Sequence, residues 1–404
     1  MKAVICGAGI AGLSLAWWLD HYGWDVTVIE RAPALRDEGY MIDFFGSGYD
    51  VADLMGLLPR LQQASYPVDE VSYVDRRGKR ICGLDYYATG ARSLDGRLLS
   101  LLRGDLEHAL VDALGDRVPI RFGRSVDAAV PVGRQVAVTL TDGTEERADL
   151  LVGADGIHSR IRELIFGPER RFLRYLGYHT AAYIITDDAL RGRLGDRVAM
   201  LTRPGRLAGF YAIDGGRVAS FLVHREPEPA LPDDPRAALR QVYASLGWVV
   251  DDALAHCPSP PALYYDQVAQ IEMPRWSRGR VTLVGDACYA VSLLAGQGAS
   301  MAMGGAYVLA AELAAAADVP AGLDRYEERL RPTIQRKQVA GRRAAEWIAP
   351  TTRRRIAMRN MALRLTALPG TSRLLEPVLA SGADSVVARP TGRSAPVGLT
   401  AHQP

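Results

Sequence analysis

Apolar and polar positions follow different rhythms along this chain. Ala3 to Ile5 is a short apolar run with the look of a buried strand. A glycine turn follows, then a helix to about Tyr22, then a second strand from Asp25 to Ile29 that ends at Glu30. This opening predicts a βαβ unit. Asp50 to Leu58 has helical spacing, and Arg103 to Leu114 places Leu106, Ala109, Leu110 and Ala113 on one helix face. Val118–Phe122 and Val136–Leu140 read as strands, with the turn Asp142-Gly143 after the second. Asp149–Val152 is a further buried strand.

From about Phe172 to Arg225 the period shortens to two. Tyr178–Ile185, Val198–Thr202, Leu207–Ile213 and Val218–His224 predict an antiparallel sheet, punctuated at Pro204-Gly205 and Gly215-Gly216. A Pro-rich link, Glu226 to Pro235, leads to a helix around Arg236–Leu246, and a second proline cluster sits at Pro258, Pro260 and Pro261. Arg280–Val284 is again a short buried strand, followed by glycine-rich loops and an Ala-rich helix. The C-terminal third is helical: Asp324–Ile348 is long and polar, Arg353–Leu368 basic and amphipathic. The Ser-, Pro-, Gly- and Ala-rich stretch from about Ala380 reads as a loosely attached tail. No internal repeat is evident.

Composition narrows the picture only slightly. With 404 residues, 48% hydrophobic and 23% charged, the chain can bury a sizeable core in two domains or in one with a subdomain. A formal net charge of +2 offers no argument for a nucleic-acid partner. The four cysteines, Cys6, Cys82, Cys257 and Cys288, form no CxxC or Cys/His cluster, so no metal site is expected. Few, scattered cysteines suit a reducing cytoplasm. Lys2 and the apolar run to Trp18 superficially resemble a signal peptide, but glycines at fixed offsets favour a strand and a helix. No run of about 18 uninterrupted apolar residues exists, so no membrane span is expected. The basic stretch from Arg353 could lie on an anionic membrane; a helix packed on the domain that opens with the βαβ unit, its arginines solvated, is the preferred reading.

Chemistry enters with Gly7-Ala8-Gly9-Ile10-Ala11-Gly12, between a strand and a helix. Gly7 permits the tight turn, Gly9 lets backbone approach a pyrophosphate, and Gly12 allows close helix–strand packing. The helix start at Ile10 and Ala11 offers free N–H groups to phosphate oxygens. Glu30, with Arg31 beside it, ends the second strand, where a carboxylate accepts ribose hydroxyls. An acid there disfavours a 2′-phosphate but does not separate FAD from NAD.

Two further segments make the reading specific. Asp149 through Arg162, with Gly153-Ala154-Asp155-Gly156, resembles the "DG" fingerprint of class A flavoprotein monooxygenases of the para-hydroxybenzoate hydroxylase type. Arg280 through Ala287, with Gly285-Asp286, resembles their "GD" fingerprint. The resemblance covers roughly residues 1–345. It implies an α/β fold: a Rossmann-like FAD-binding domain (GR2-type), an antiparallel-sheet substrate domain and a helical C-terminal segment. The expected division is 1–171 with 272–345 for FAD (60–100 contributing to the substrate side), 172–271 for substrate, 346–380 for C-terminal helices and 381–404 for a flexible tail.

The resemblance implies tight, non-covalent FAD, with NAD(P)H and O2 as transient co-substrates. Asp286 would meet ribityl hydroxyls. Gly296, Gly298 and Ala299 open a helix toward the flavin pyrimidine edge, where N–H groups stabilise the anionic reduced ring. Arg103 would touch FAD phosphate or ribityl oxygens. Asp155 would serve the pyrophosphate and NAD(P)H, or simply the turn. Residues 36–44 are similar to tetracycline-inactivating and antibiotic-tailoring members, which implies Arg36 for NADPH and Asp43 for FAD; solvated surface charge is the other reading of Arg36. Where the family often has a histidine and a later proline, this chain has Tyr289 and Leu293. Cys288 reads as a buried small hydrophobe.

The implied activity is insertion of one oxygen atom into a lipophilic polycyclic or polyketide-like molecule through a flavin C4a-hydroperoxide, in antibiotic or secondary metabolism. An FAD-dependent dehydrogenase or oxidase, an antibiotic-inactivating monooxygenase and a non-catalytic flavin sensor are the alternatives. No catalytic base is assigned. Tyr178, His179, Tyr183, Tyr211, Phe221 and Tyr289 are the expected substrate contacts, with Phe210 and His224 further candidates on the same sheet. A cytoplasmic monomer or homodimer is expected, with no nucleic acid and no stable membrane association. The reading requires Gly9 and Gly298 to share one groove.

Overall fold

The computed structural model describes residues 1–35, 40–85, 94, 96–195, 197–213, 215–366 and 385–387. Among these, the N-terminal strand Lys2–Cys6 lies at the heart of a six-stranded sheet. It pairs in parallel with Asp25–Ile29 on one side and Leu150–Gly153 on the other, and Val281–Leu283 extends the parallel run. Ile120–Arg121 closes one edge in parallel, and Ser277–Arg278 the other, antiparallel. Val4, Ile5, Val28, Leu151 and Leu283 are all but inaccessible, as expected of parallel strands covered on both faces.

The first helix, Ile10–His21, is apolar nearly all round because both sides are covered. It packs on the sheet and on the late helix Gly298–Ala315, where Trp18 meets Tyr307 edge-on at 4.9 Å between ring centroids. The helix Arg103–Leu114 matches its predicted span and packs on the first helix. The predicted helix 50–58 is two short ones, Ser47–Leu54 and Leu58–Gln63, separated at Gly56 (φ +71°).

The second large sheet has the order Tyr264–Ile271, Leu173–Ala182, Arg217–Arg225, Arg206–Ile213, Val198–Arg203, Glu70–Val74, Arg80–Asp85, with Ile184–Thr186 also on Arg217–Arg225. It is larger than the period-two pattern of 172–225 suggested. Tyr264–Ile271 covers one edge, and Glu70–Val74 adds a parallel pairing at the other. One face packs under the helices Asp188–Leu194, Pro235–Tyr243 and Val250–Ala255, with Tyr183, Leu201, Phe210 and Leu222 in its core. The other face looks back toward the late helix. A two-stranded ribbon, Met41–Phe45 with Leu98–Leu102, and a three-stranded sheet over 126–148 complete the β-structure described.

The C-terminal helix Arg353–Thr366 differs from its expected seat. It packs on strands Arg80–Asp85 and Val198–Arg203 of the second sheet, not on the parallel sheet. Arg353, Arg354 and Arg355 are exposed as expected, but Arg359 is buried. Its guanidinium lies 4.0 Å from the Tyr73 ring centroid and donates to Thr202 Oγ1 at 3.1 Å. Stacking on an aromatic face and a neutral acceptor make that burial tolerable. Most of the predicted tail lies outside the described residues; 385–387 do not hang free, because Val386 N–H donates to Ser47 Oγ at 3.0 Å and its side chain packs on the core. No helix among the described residues is long and apolar enough to cross a membrane, and none of their acidic, histidine or cysteine side chains group to hold a metal ion.

Candidate functional site

The turn after the first strand folds as its glycines dictate. Gly7 has φ +112°, and a Cβ there would overlap the Ala154 carbonyl; a Cβ on Gly12 would overlap the Gly7 carbonyl oxygen. Gly9 caps the first helix without any side-chain bond, so that helix start keeps its amides directed outward. Glu30 accepts from Ala8 N–H and Ala32 N–H, both at 2.8 Å, which fixes the carboxylate at the rim of the turn.

A cavity of about 310 Å³ opens here. Gly7, Gly9, Ile10, Ala11, Glu30, Arg31, Arg103, Asp155, Asp286, Gly298 and Ala299 all line it. Gly9 and Gly298, about 290 positions apart in sequence, therefore share one groove. Arg103 pairs with Glu107 at 2.9 Å, and that carboxylate raises its already high pKa. Asp286 faces the same space; crowding by surrounding protein lifts its carboxyl above the ordinary range, and Arg103 pulls the other way. The late helix begins at Gly298 after Gly296 (φ +64°), again without a side-chain cap, and nothing lies within 4 Å of a Cβ built on Gly298. Two uncapped helix starts thus converge with the carboxylates of Glu30 and Asp286 and the guanidinium of Arg103 on one space.

Asp155 is occupied by its own loop. It accepts from Ser159 Oγ at 2.6 Å and Ile161 N–H at 3.1 Å, so its carboxylate shapes the turn at the cavity wall. His158 bridges Glu169 (3.1 Å) and Asp266 (3.2 Å), and the bond to Asp266 leads in raising its pKa to about 9. Arg162, fully buried, donates to the Ala287 carbonyl at 2.9 Å, to the Ile157 carbonyl at 2.7 Å and to Glu169 at 2.7 Å. It ties the loop after Asp155 to the loop after Asp286.

A second cavity, about 300 Å³, joins the first. Tyr40, Ile42, Ile157, Tyr264, Asp286, Gly298 and Ala299 belong to both. Its far wall is the second sheet: Val71, Val198, Met200, Gly209, Tyr211, Phe221, Gln267 and Ala269. Ala290 to Leu294 and Ile348 close it from the other side. Asp43 and Gly296 line this cavity and not the first. Tyr211 accepts Met41 N–H on its hydroxyl at 2.5 Å, clamping the ribbon to the sheet.

The sequence-predicted substrate contacts separate by face. Tyr211 and Phe221 line the second cavity. Tyr178 packs in an apolar cluster with Ala345, Ala349 and Leu363 beneath the C-terminal helices. Tyr183 points to the opposite face and donates to the Ala253 carbonyl at 3.0 Å, and Phe210 sits in the same core. His179 and His224 lie in a separate outer cleft with Tyr265. Burial lowers both imidazoles, His224 to about 4, and neither lines the inner cavity. Tyr289 is buried among Trp276, Tyr326 and Gly305, away from the cavity. Period-two alternation explains Tyr183, Phe210, His179 and His224, which point away from the chamber; Tyr178 shares the face of Phe221 but lies under the C-terminal helices. Cys288 is a buried thiol, as expected. Arg36 lies outside the described residues.

Tyr40, Tyr264, Gln267 and Ser292 also line these cavities, and no motif singles them out individually. The strand Tyr264–Ile271 hid behind the Pro260-Pro261 pair. Its aromatic and β-branched content between prolines was the available clue.

Comparison with known proteins agrees with this geometry. A family model described as an FAD binding domain matches residues 1–339. An uncharacterized protein of Mycobacterium tuberculosis is 36% identical over 346 residues, covering 83% of this chain and 91% of that protein. A flavin-dependent monooxygenase from an unknown prokaryotic organism is 31% identical over 345 residues, covering 84% and 88%. Among solved structures, the tetracycline destructase Tet(55) superposes with a TM-score of 0.80 at 28% identity, covering 96% and 98%. Klebsiella pneumoniae HpxO, complexed with FAD and uric acid, gives 0.78 at 26%, covering 95% and 96%.

Proposed function

The chain belongs to the FAD-binding family of flavin-dependent monooxygenases and is an FAD-dependent oxidoreductase; from that premise we propose that it uses NAD(P)H and O2 to insert one oxygen atom into a lipophilic, polycyclic or polyketide-like small molecule. The observation that carries this reading is the junction of the two cavities. A dinucleotide-shaped groove runs into a largely apolar chamber, and the shared wall at Asp286, Gly298 and Ala299 is where a flavin ring would separate the two.

The residues fit FAD. Glu30 would hold the ribose, the amides of Ile10 and Ala11 the pyrophosphate, and Arg103 and Asp286 the ribityl chain. When bound, FAD supplies hydride acceptance from the nicotinamide and activation of oxygen. The protein supplies position and electrostatics. The uncapped start of the Gly298–Ala315 helix would offer N–H dipoles to negative charge on a bound flavin ring, from donors already fixed by the helix. Ile157, Phe221, Leu294 and Ile348 give the chamber an apolar lining, which would strengthen those dipoles. With both sheet histidines outside it, the chamber offers no imidazole base among the described residues, consistent with chemistry centred on the cofactor. A role in antibiotic tailoring or inactivation is part of the proposal, supported by the likeness to the tetracycline destructase.

The test is mass spectrometry of products formed from a panel of polycyclic phenols and ketones under isotopically labelled O2. One labelled oxygen per product, with NAD(P)H oxidation that depends on the compound, is expected. A dehydrogenated product without label refutes oxygen insertion.

A further inference from the structure

One stretch of the long helix Val319–Ile348 lies against the loop that leads into the helix Gly298–Ala315. Gln338 Nε2 donates to the Ile271 carbonyl at 2.8 Å and to the Ala290 carbonyl at 3.3 Å. Gln270, on the strand Tyr264–Ile271, donates to the Val291 carbonyl at 3.0 Å and to the Gln338 carbonyl at 2.8 Å. At Gly341 the helix comes so near that a Cβ would lie 2.4 Å from the Val291 carbonyl oxygen. One turn earlier, Lys337 Nζ donates to Gln297 Oε1. Gln297 is the N-cap of the helix Gly298–Ala315, and its neighbours Gly296 and Gly298 both line the apolar chamber.

Lys337 is out of keeping with the rest of the chain. Lysine occurs only at positions 2, 79 and 337 among 48 basic residues, and Lys337 is the buried one, 6% exposed. Burying an ammonium group is costly, and Gln338 and Gln270 hold the same loop with neutral groups. The bond to a carbonyl oxygen suits the protonated amine, which can only donate. Lys337 lines neither cavity, so whatever it does for the site it does through Gln297 and through its field. What it reaches is the end of a helix whose unbonded N–H groups already gather positive potential. We infer that Lys337 is a positioning residue that sets a fixed positive charge behind this helix start and thereby favours the reduced, anionic flavin over the oxidised ring. A charge held away from water keeps far more of its field than one in solvent. This deepens the proposed function and rests on it for the flavin ring lying at the Gly298 helix start.

The experiment measures the reduction potential of bound FAD in the holoenzyme, by anaerobic equilibration with a reference dye and without substrate, NAD(P)H or O2. Wild type, Lys337→Met, Lys337→Gln and Lys337→Arg are compared. In both neutral variants reduction should become about tenfold less favourable, a fall of about 30 mV for a two-electron couple. Sulfite adds to oxidised flavin and leaves negative charge on the same ring edge, so it should bind both neutral variants about tenfold more weakly. Lys337→Arg keeps the charge and should restore more than half of each effect. Glutamine keeps an N–H donor for Gln297, so a lysine that only braced the turn would be replaced by it without loss. Wild-type potential and sulfite affinity in both neutral variants overturn the inference, as does a shift in Lys337→Met that Lys337→Gln rescues. Loss of oxidised FAD from both neutral variants also overturns it, because the lysine would then serve both oxidation states. The expected shift together with unlabelled products would keep Lys337 and remove the oxygen-insertion reading. Labelled products with an unmoved potential would do the reverse.

Discussion

Arg162→Met removes one side chain and tests how the two cofactor loops are held together. The guanidinium is wholly inaccessible and serves two buried carbonyls, Ile157 and Ala287, besides Glu169. Methionine keeps roughly the volume but donates nothing. Each carbonyl left without a donor costs about 1–3 kcal/mol, so the loss is about 2–6 kcal/mol before any relief. Relief comes from no longer burying a cation, and exchange for an apolar side chain commonly returns about 1–4 kcal/mol. Glu169 is 35% exposed at its side chain and regains water, so its orphaned charge adds little. The expected net cost is about 2 kcal/mol, roughly a thirtyfold change in the unfolding equilibrium. Because Ala287 follows Asp286 and Ile157 lines both cavities, FAD affinity should fall as well, by about tenfold. Urea denaturation of the holoenzyme and fluorescence titration of FAD measure the two effects. Glu169→Gln is the control, with a cost under about 1 kcal/mol. If Glu169→Gln costs as much as Arg162→Met, the ion pair and not the carbonyls is the tie, and the reasoning fails. An Arg162→Met protein with wild-type midpoint and FAD affinity refutes it outright.

Other consequences are open to direct measurement. Asp286→Ala should weaken FAD binding by about 10- to 100-fold, the worth of a charged hydrogen bond; unchanged loading in a fluorescence titration removes Asp286 from the site. Gly12→Ala forces a Cβ into the Gly7 carbonyl and should yield protein that retains its far-UV circular dichroism but no flavin colour; a yellow Gly12→Ala protein contradicts the packing argument. His158 is raised from 6.5 to about 9 by Asp266 and Glu169, so its stabilisation is complete below pH 6.5 and is lost as pH rises through 9. With the side chain 38% exposed, screening keeps the effect under about 1 kcal/mol, and His158→Gln should flatten the decline in Tm across that window. A decline that persists unchanged in His158→Gln assigns it to another group.

The cofactor half of the protein was written in local sequence. Gly7, Gly9 and Gly12 act within one turn, Glu30 ends the adjacent strand, and the spans of the first helix and of Arg103–Leu114 follow from short-range spacing. The resemblance of the Asp155 and Asp286 segments supplied the rest of the groove, and the fold brings those segments to one cavity. Local pattern also announced the second sheet but not its full width, since Glu70–Val74 and Tyr264–Ile271 join it from distant parts of the chain.

What tertiary structure alone decided is which face of that sheet borders the second cavity. Tyr211 and Phe221 reach the chamber, while Tyr183 and His179 point to the other face, because strand alternation is blind to the layer that covers each side, and Tyr178, on the face of Phe221, is covered by the C-terminal helices. Tyr289 is a core residue because Trp276 and Tyr326 enclose it, a matter of helix packing that no motif encodes. The same holds for Lys337: only the fold buries it and sets it against Gln297, 40 positions away. Burial is a property of three-dimensional neighbours, and neighbours far apart in the chain are what the linear pattern leaves unspecified.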